Sequence, residues 1–205
     1  MIFLQPFYQF VVTHYSNSIN HFPLVKLVFF SVDKTLFYFL IFAVIRLIWL
    51  LAVKERRKIW SELAVWLFVF YIMLLLALTV FRGTYFPWQL RFYFDRPLTQ
   101  INFNFLSETL KLTRGASLLD FIYNLFGNIF WFVPFGFLFP QVFRWFNRAW
   151  RTILAGGLFS LLIESLQLVL YTGVSDLDDV FFNLIGTLIG YVLFALTVKK
   201  RSNLS

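Results

Sequence analysis

The sequence predicts an all-α fold: a polytopic integral membrane helical bundle of about five transmembrane helices, plus an N-terminal interfacial or re-entrant segment. Three observations carry this reading. Of 205 residues, 60% are hydrophobic and only 14% charged, where water-soluble domains run at roughly 45–50% and 25%. The apolar residues come in long unbroken runs, not in the roughly ten-residue alternating segments of an outer-membrane barrel. Cysteine is absent, which removes disulfide scaffolds and thiolate metal sites. The same composition excludes intrinsic disorder.

A span needs about 20 apolar residues to cross roughly 30 Å of hydrocarbon. Residues 35–53, 62–81, 152–171 and 179–198 meet this clearly. Residues 121–143 also meet it while carrying Asn124, Asn128, Pro134, Gly136 and Pro140. Proline inside a membrane helix frees a carbonyl, so a kink is expected there. Residues 1–33 hold two apolar patches, Met1–Val12 and Leu24–Val32, around a polar run from Thr13 to His21. Neither patch spans alone, and no basic leader or small-residue cleavage site marks a removable signal. The expected organisation is therefore an interfacial or re-entrant segment at 1–33, two transmembrane helices in 34–81 and an extracytoplasmic loop at 82–120. A three-helix core at 121–198 and a cytoplasmic tail at 199–205 follow.

Eighteen Lys and Arg against ten Asp and Glu give a net charge of +8. In a chain this apolar, the excess points to topology and lipid contact and away from nucleic acid. Lys54, Arg56, Arg57 and Lys58 form one dense cluster, Arg144, Arg148 and Arg151 a second, and Lys199, Lys200 and Arg201 a third. Dense basic clusters beside span ends belong in the cytoplasm. The expected topology has the N-terminus outside and the C-terminus cytoplasmic, with Arg46 snorkelling from the first span. The 82–120 loop carries Trp88, Tyr93, Phe103 and Phe105 and is expected on the outer leaflet.

Ionisable groups inside a membrane are costly and so are functional candidates. Gly157, Ser160, Glu164 and Gln167 are spaced 3, 4 and 3 residues apart, which places them on one helical face. Asp179, Asn183, Gly186 and Gly190 form a second face, and Asn124 and Asn128 lie one turn apart in the 121–143 span. Alternation of spans puts all three faces in the same half of the membrane. The glycines read as close-packing residues, and Asn183 and Gln167 serve equally as helix-to-helix glue or as ligand contacts. Glu164 and Asp179 need a proton, an arginine or a polar cavity, with Arg82 and Arg114 as plausible partners.

Other chemistries are weaker. His14 and His21 read as interfacial polar residues, and a metal pair there would need a third ligand. The carboxylate and amide set resembles a hard-cation site only loosely, so no metal and no cofactor is expected. No phosphate-binding Gly loop, Gly-x-Ser-x-Gly elbow or His-Glu-x-x-His is present. The tryptophans and tyrosines fit interface anchoring.

The run from Asn128 through Pro134 and Gly136 to Pro140, then Glu164-x-x-Gln167, then Asp176-x-x-Asp179-x-x-x-Asn183-x-x-Gly186-x-x-x-Gly190, resembles the VanZ-like family. The resemblance covers about residues 120–195. Asn102 to Phe105 is loosely similar to an upstream family element but lacks its proline, and Gly173 and Val174 stand where many relatives carry an arginine. The resemblance implies a bacterial plasma-membrane protein. It also implies an accessory role in lowering sensitivity to teicoplanin, a lipid-tailed glycopeptide antibiotic. Residue by residue, the motif points to Asn128, Glu164, Gln167, Asp179 and Asn183.

Two classes of function follow. A binder would use these five residues at an outer-leaflet polar cavity to take the antibiotic or a lipid-linked cell-wall component, with membrane lipids as its other partners. The alternative is a membrane enzyme that modifies a lipid carrier or wall precursor, with Glu164 as general base and Asp179 as orienter or metal ligand. No obvious nucleophile accompanies them, since Ser160 and Ser165 lack a histidine partner.

Overall fold

The computed structural model describes residues 1–16, 19, 22–53, 58–95, 118–173 and 176–202. They form six α-helices: α1 (Gln5–Tyr15), α2 (Phe22–Val53), α3 (Ile59–Thr79), α4 (Leu118–Val142), α5 (Ala149–Leu170) and α6 (Leu177–Ser202). Single 3₁₀ turns lie at Pro87–Gln89 and Arg144–Phe146, and there is no β-strand element among the described residues. The all-α membrane architecture expected from composition is thus observed. Helices α2, α3, α5 and α6 are each long and apolar enough to cross a membrane. The span expected at 121–143 falls on α4, whose 25 residues stay helical through Pro134 and Pro140.

The start of α2 corrects the sequence reading. The span expected at 35–53 is the second part of a 32-residue helix that begins at Phe22, roughly 48 Å long at 1.5 Å per residue. The division between residues 33 and 34 therefore falls inside a helix. Asp33 and Lys34 interrupt the apolar run in the sequence, but both are buried and hydrogen-bonded to backbone within the fold, so the helix passes through them. Pro6 sits in the first turn of α1, where its missing N–H has no helical partner to lose. At the other end of the chain, α6 continues to Ser202, into the stretch expected as a tail. The cluster at 54–57 and most of the expected 82–120 loop lie outside the described residues.

The chain packs as two units, Met1–Lys58 with Val69–Leu90, and Ile59–Phe68 with Arg91–Ser205. In the first, Tyr71, Leu75, Ala77 and Val80 of the α3 end are buried with Tyr85 and with the polar side chains Ser31, Asp33, Lys34 and Thr35. Leu40, Ile41, Val44, Ile45 and Ile48 of α2 stay exposed, a continuous apolar face suited to lipid.

The second unit has two kinds of core. One is aromatic: Phe135 stacks on Phe139 at 4.8 Å and on Phe159 at 5.3 Å, with Phe68 6.0 Å away. Phe132, Phe135 and Phe139 recur at helical spacing, so α4 presents them along one side. The other is a bare backbone contact between α4 and α6. A Cβ on Gly136 would lie 2.0 Å from the Thr187 carbonyl oxygen, one on Gly186 2.2 Å from that of Ile129, and one on Gly190 2.0 Å from that of Val133. Only glycine permits this approach, as small-residue pairs four apart do between membrane helices. The packing role read from the spacing of Gly186 and Gly190 is what the structure displays.

Candidate ligand-binding site

The second unit gathers its polar side chains around the turn from α5 to α6. Helix α5 ends on Tyr171, whose backbone is left-handed at φ 57° and whose N–H bonds back to the Gln167 carbonyl. That is a cap usually given to glycine. The Thr172 N–H reaches the same carbonyl at 3.1 Å, and the Tyr93 N–H donates to Val169 O at 2.8 Å. These bonds satisfy carbonyls that a helix end otherwise leaves open. The Tyr93 and Tyr171 rings lie 5.9 Å apart beside them.

Helix α6 begins with a carboxylate cap. Asp176 Oδ1 accepts the Asp178 N–H at 2.9 Å, the bond an N-cap side chain makes. Asp178 and Asp179 occupy the first turn, where the helix dipole favours negative charge. The Asp176 N–H in turn donates to Glu164 Oε2 at 3.1 Å. Glu164, a binding and catalytic candidate from the sequence, thus holds the start of the next helix with one of its oxygens.

The remaining candidates are joined in pairs. Asn128 Nδ2 donates to Asp179 Oδ1 at 2.5 Å, tying α4 to α6. Asn183 Nδ2 donates to Ser160 Oγ at 2.8 Å, tying α6 to α5. The Asn183 carbonyl accepts from Thr187 Oγ1 at 2.8 Å. Gln167 is buried and packs against the turn so closely that a Cβ on Gly173 would lie 3.2 Å from its Cδ. Asn183 Oδ1 is buried with no hydrogen-bond partner. Buried polar atoms are seldom left in this state.

Several sequence candidates fall elsewhere. Arg82, considered as a counter-ion, donates its Nε to the Leu78 carbonyl at 2.8 Å. Arg114, His21, Val174 and the element Asn102–Phe105 lie outside the described residues, as does the side chain of Asn124. His14 lies on α1 with Nδ1 2.9 Å from Phe10 O. Ser165 turns its hydroxyl to Leu161 O at 2.7 Å, and the Ser160 oxygen is engaged by Asn183. Among the described residues, no three carboxylate or imidazole groups converge as a metal site requires.

The sequence reading passed over a second polar cluster, in the first unit. Asp33 is fully buried and accepts the N–H groups of Ile2 at 2.7 Å, Phe3 at 2.6 Å and Leu4 at 2.6 Å. It also accepts the Tyr85 hydroxyl at 2.7 Å. Lys34 donates to the carbonyls of Phe81 and Thr84. The available signal was two adjacent charges flanked by Ser31 and Thr35 in a long apolar stretch. Reading them as the edge of a span hid it.

Compared with known families, the chain matches VanZ/LLP1 over residues 68–198. No match was found among curated proteins or among solved structures.

Proposed function

As a member of the VanZ/LLP1 family, the chain is a helical membrane protein, and we propose that its α5–α6 turn is an outer-leaflet binding site for the polar head of a lipid-anchored molecule. Two ligands share that chemistry, the lipid-tailed glycopeptide teicoplanin and a lipid-linked cell-wall component. The observation that carries the reading is Asn183 Oδ1, a buried acceptor without a partner, one helical turn from the Asp179 that Asn128 holds. A ligand N–H or O–H reaching this acceptor would relieve the cost of burying it unpaired. Asp179, Glu164 and Gln167 add acceptors and donors for a sugar, peptide or phosphate-linked head. The host is a bacterial plasma membrane, with the C-terminus cytoplasmic and this turn outside, in keeping with the basic clusters.

An acyl tail gains about 0.8 kcal/mol per buried CH₂, so it concentrates its bearer where the site lies. The test is the ratio of inhibitory concentrations for teicoplanin and for tail-less vancomycin in an isogenic host with and without the protein. Protection against teicoplanin alone is expected, reduced by Asp179→Asn and Glu164→Gln at equal membrane levels. Equal protection against both drugs would sink the outer-leaflet reading. Lipid extracts from the same cells separate binder from enzyme: unchanged lipids fit a binder, whereas a new modified lipid would replace that reading with catalysis.

A further inference from the structure

The first unit contains a cavity of about 310 Å³ between α2, α3 and the segment that follows α3, at the small end of the roughly 300–1,000 Å³ range of ligand pockets. Its α2 wall is formed by Lys34, Thr35 and Tyr38, and Met73, Leu76 and Phe86 are among the residues opposite. Most of the lining is apolar, yet a buried ammonium stands in it. Lysine has three N–H donors, and Lys34 gives two of them to the Phe81 and Thr84 carbonyls. The faces of Phe30 and Phe81 lie 5.4 and 5.9 Å away.

The adjacent carboxylate spends its hydrogen-bonding capacity elsewhere. A carboxylate offers about four acceptor positions, and those of Asp33 are taken by Ile2, Phe3, Leu4 and Tyr85. Beside Lys34, Thr35 is 1% exposed and its Oγ1 is buried with no hydrogen-bond partner. Tyr38 is already engaged, donating to Tyr85 O at 2.9 Å. The cavity therefore offers one ammonium N–H and one hydroxyl at the polar end of an apolar chamber. Neither belongs to the family-matched region, because Lys34 and Thr35 precede residue 68.

We propose that this cavity takes a single-chain amphiphile with an acidic head. The carboxylate or phosphate accepts from the third N–H of Lys34 and from Thr35 Oγ1, and the alkyl chain lies against Met73, Leu76 and Phe86. A charged acceptor neutralises a cation that, among the described residues, meets carbonyl dipoles and ring faces. A neutral head would leave that charge as it is. This site is independent of the α5–α6 turn, and its failure would leave that reading untouched.

The test uses the full chain in phosphatidylcholine nanodiscs with diazirine-bearing palmitic acid, hexadecyl phosphate and hexadecanol, reading labelled peptides by mass spectrometry. One charge-assisted hydrogen bond gives about a tenfold preference. The acid or the phosphate should therefore label residues of the cavity about tenfold more than the alcohol does. The better of the two names the source as a free fatty acid or a phospholipid-derived head. Met73→Trp puts a bulkier ring into the chamber and should lower labelling there several-fold. Thr35→Val keeps the side-chain shape and should lower it several-fold without lowering thermal stability. Equal labelling by all three probes, or labelling unchanged in either variant, overturns the proposal.

Discussion

In the unit around Asp33, buried charge ends on backbone, whereas in the unit around Asn183, buried polar side chains end on one another. Asp33 binds three consecutive N–H groups near the chain start and the Tyr85 hydroxyl, and Lys34 binds two carbonyls beyond α3. These bonds tie together segments more than 25 residues apart, and they use all of the carboxylate's acceptor capacity. Around the α5–α6 turn, Asn128 meets Asp179 and Asn183 meets Ser160, and an amide oxygen is left over. The saturated carboxylate of Asp33 closes a fold, whereas Lys34 keeps one N–H for the neighbouring cavity. Side-chain pairs with spare capacity leave room for something to bind.

The largest effect should come from removing the closing charge. Asp33→Ala strands three N–H groups and a hydroxyl that bonded a charged acceptor, at a cost on the order of 3–5 kcal/mol. The variant should accumulate poorly and lose its monodisperse peak on size-exclusion chromatography in detergent. A wild-type profile would show that Asp33 does not hold the first unit together.

Tyr85→Phe removes one of the four bonds to Asp33 and should cost about 1.5–3 kcal/mol, read as a lowered unfolding midpoint. It also carries a pH signature. Burial pushes the Tyr85 phenol up, and the hydrogen bond and charge of Asp33 push it further. The folded state then keeps a proton that the unfolded chain releases near pH 10. This contribution is complete below about pH 10 and is lost as pH rises above it. The wild-type midpoint should fall faster than that of Tyr85→Phe above pH 10. Parallel curves would place Tyr85 outside the Asp33 network.

The smallest effect on stability is expected at the α5–α6 site. Ser160→Ala with Asn183→Leu removes both partners of one bond and the orphan oxygen with them. Such a paired replacement is nearly neutral, within about 1 kcal/mol. The teicoplanin protection proposed above should nevertheless disappear at unchanged membrane levels. A large loss of stability would make the pair part of the fold, like Asp33.

The sequence by itself determined what composition and local period determine. The scarcity of charge and the long apolar runs required a helical membrane protein, because lipid cannot satisfy exposed backbone. The four-residue spacing of Gly186 and Gly190 announced a close helix contact. The spacing of Asp179 and Asn183, with Asn128 two spans earlier, marked side chains that the structure joins to partners on neighbouring helices. The tertiary structure decided the rest. The partners of Asp33 lie 29 to 31 residues before it and 52 after it, so no local pattern could show that its charge is met and that α2 runs back to Phe22. Glu164 reads as an isolated membrane carboxylate until the turn brings the Asp176 N–H to it. Periodicity assigns a side chain to a face of its own helix. Which group waits opposite is fixed by how distant segments meet, and in this chain that decides whether a buried polar atom is spent or spare.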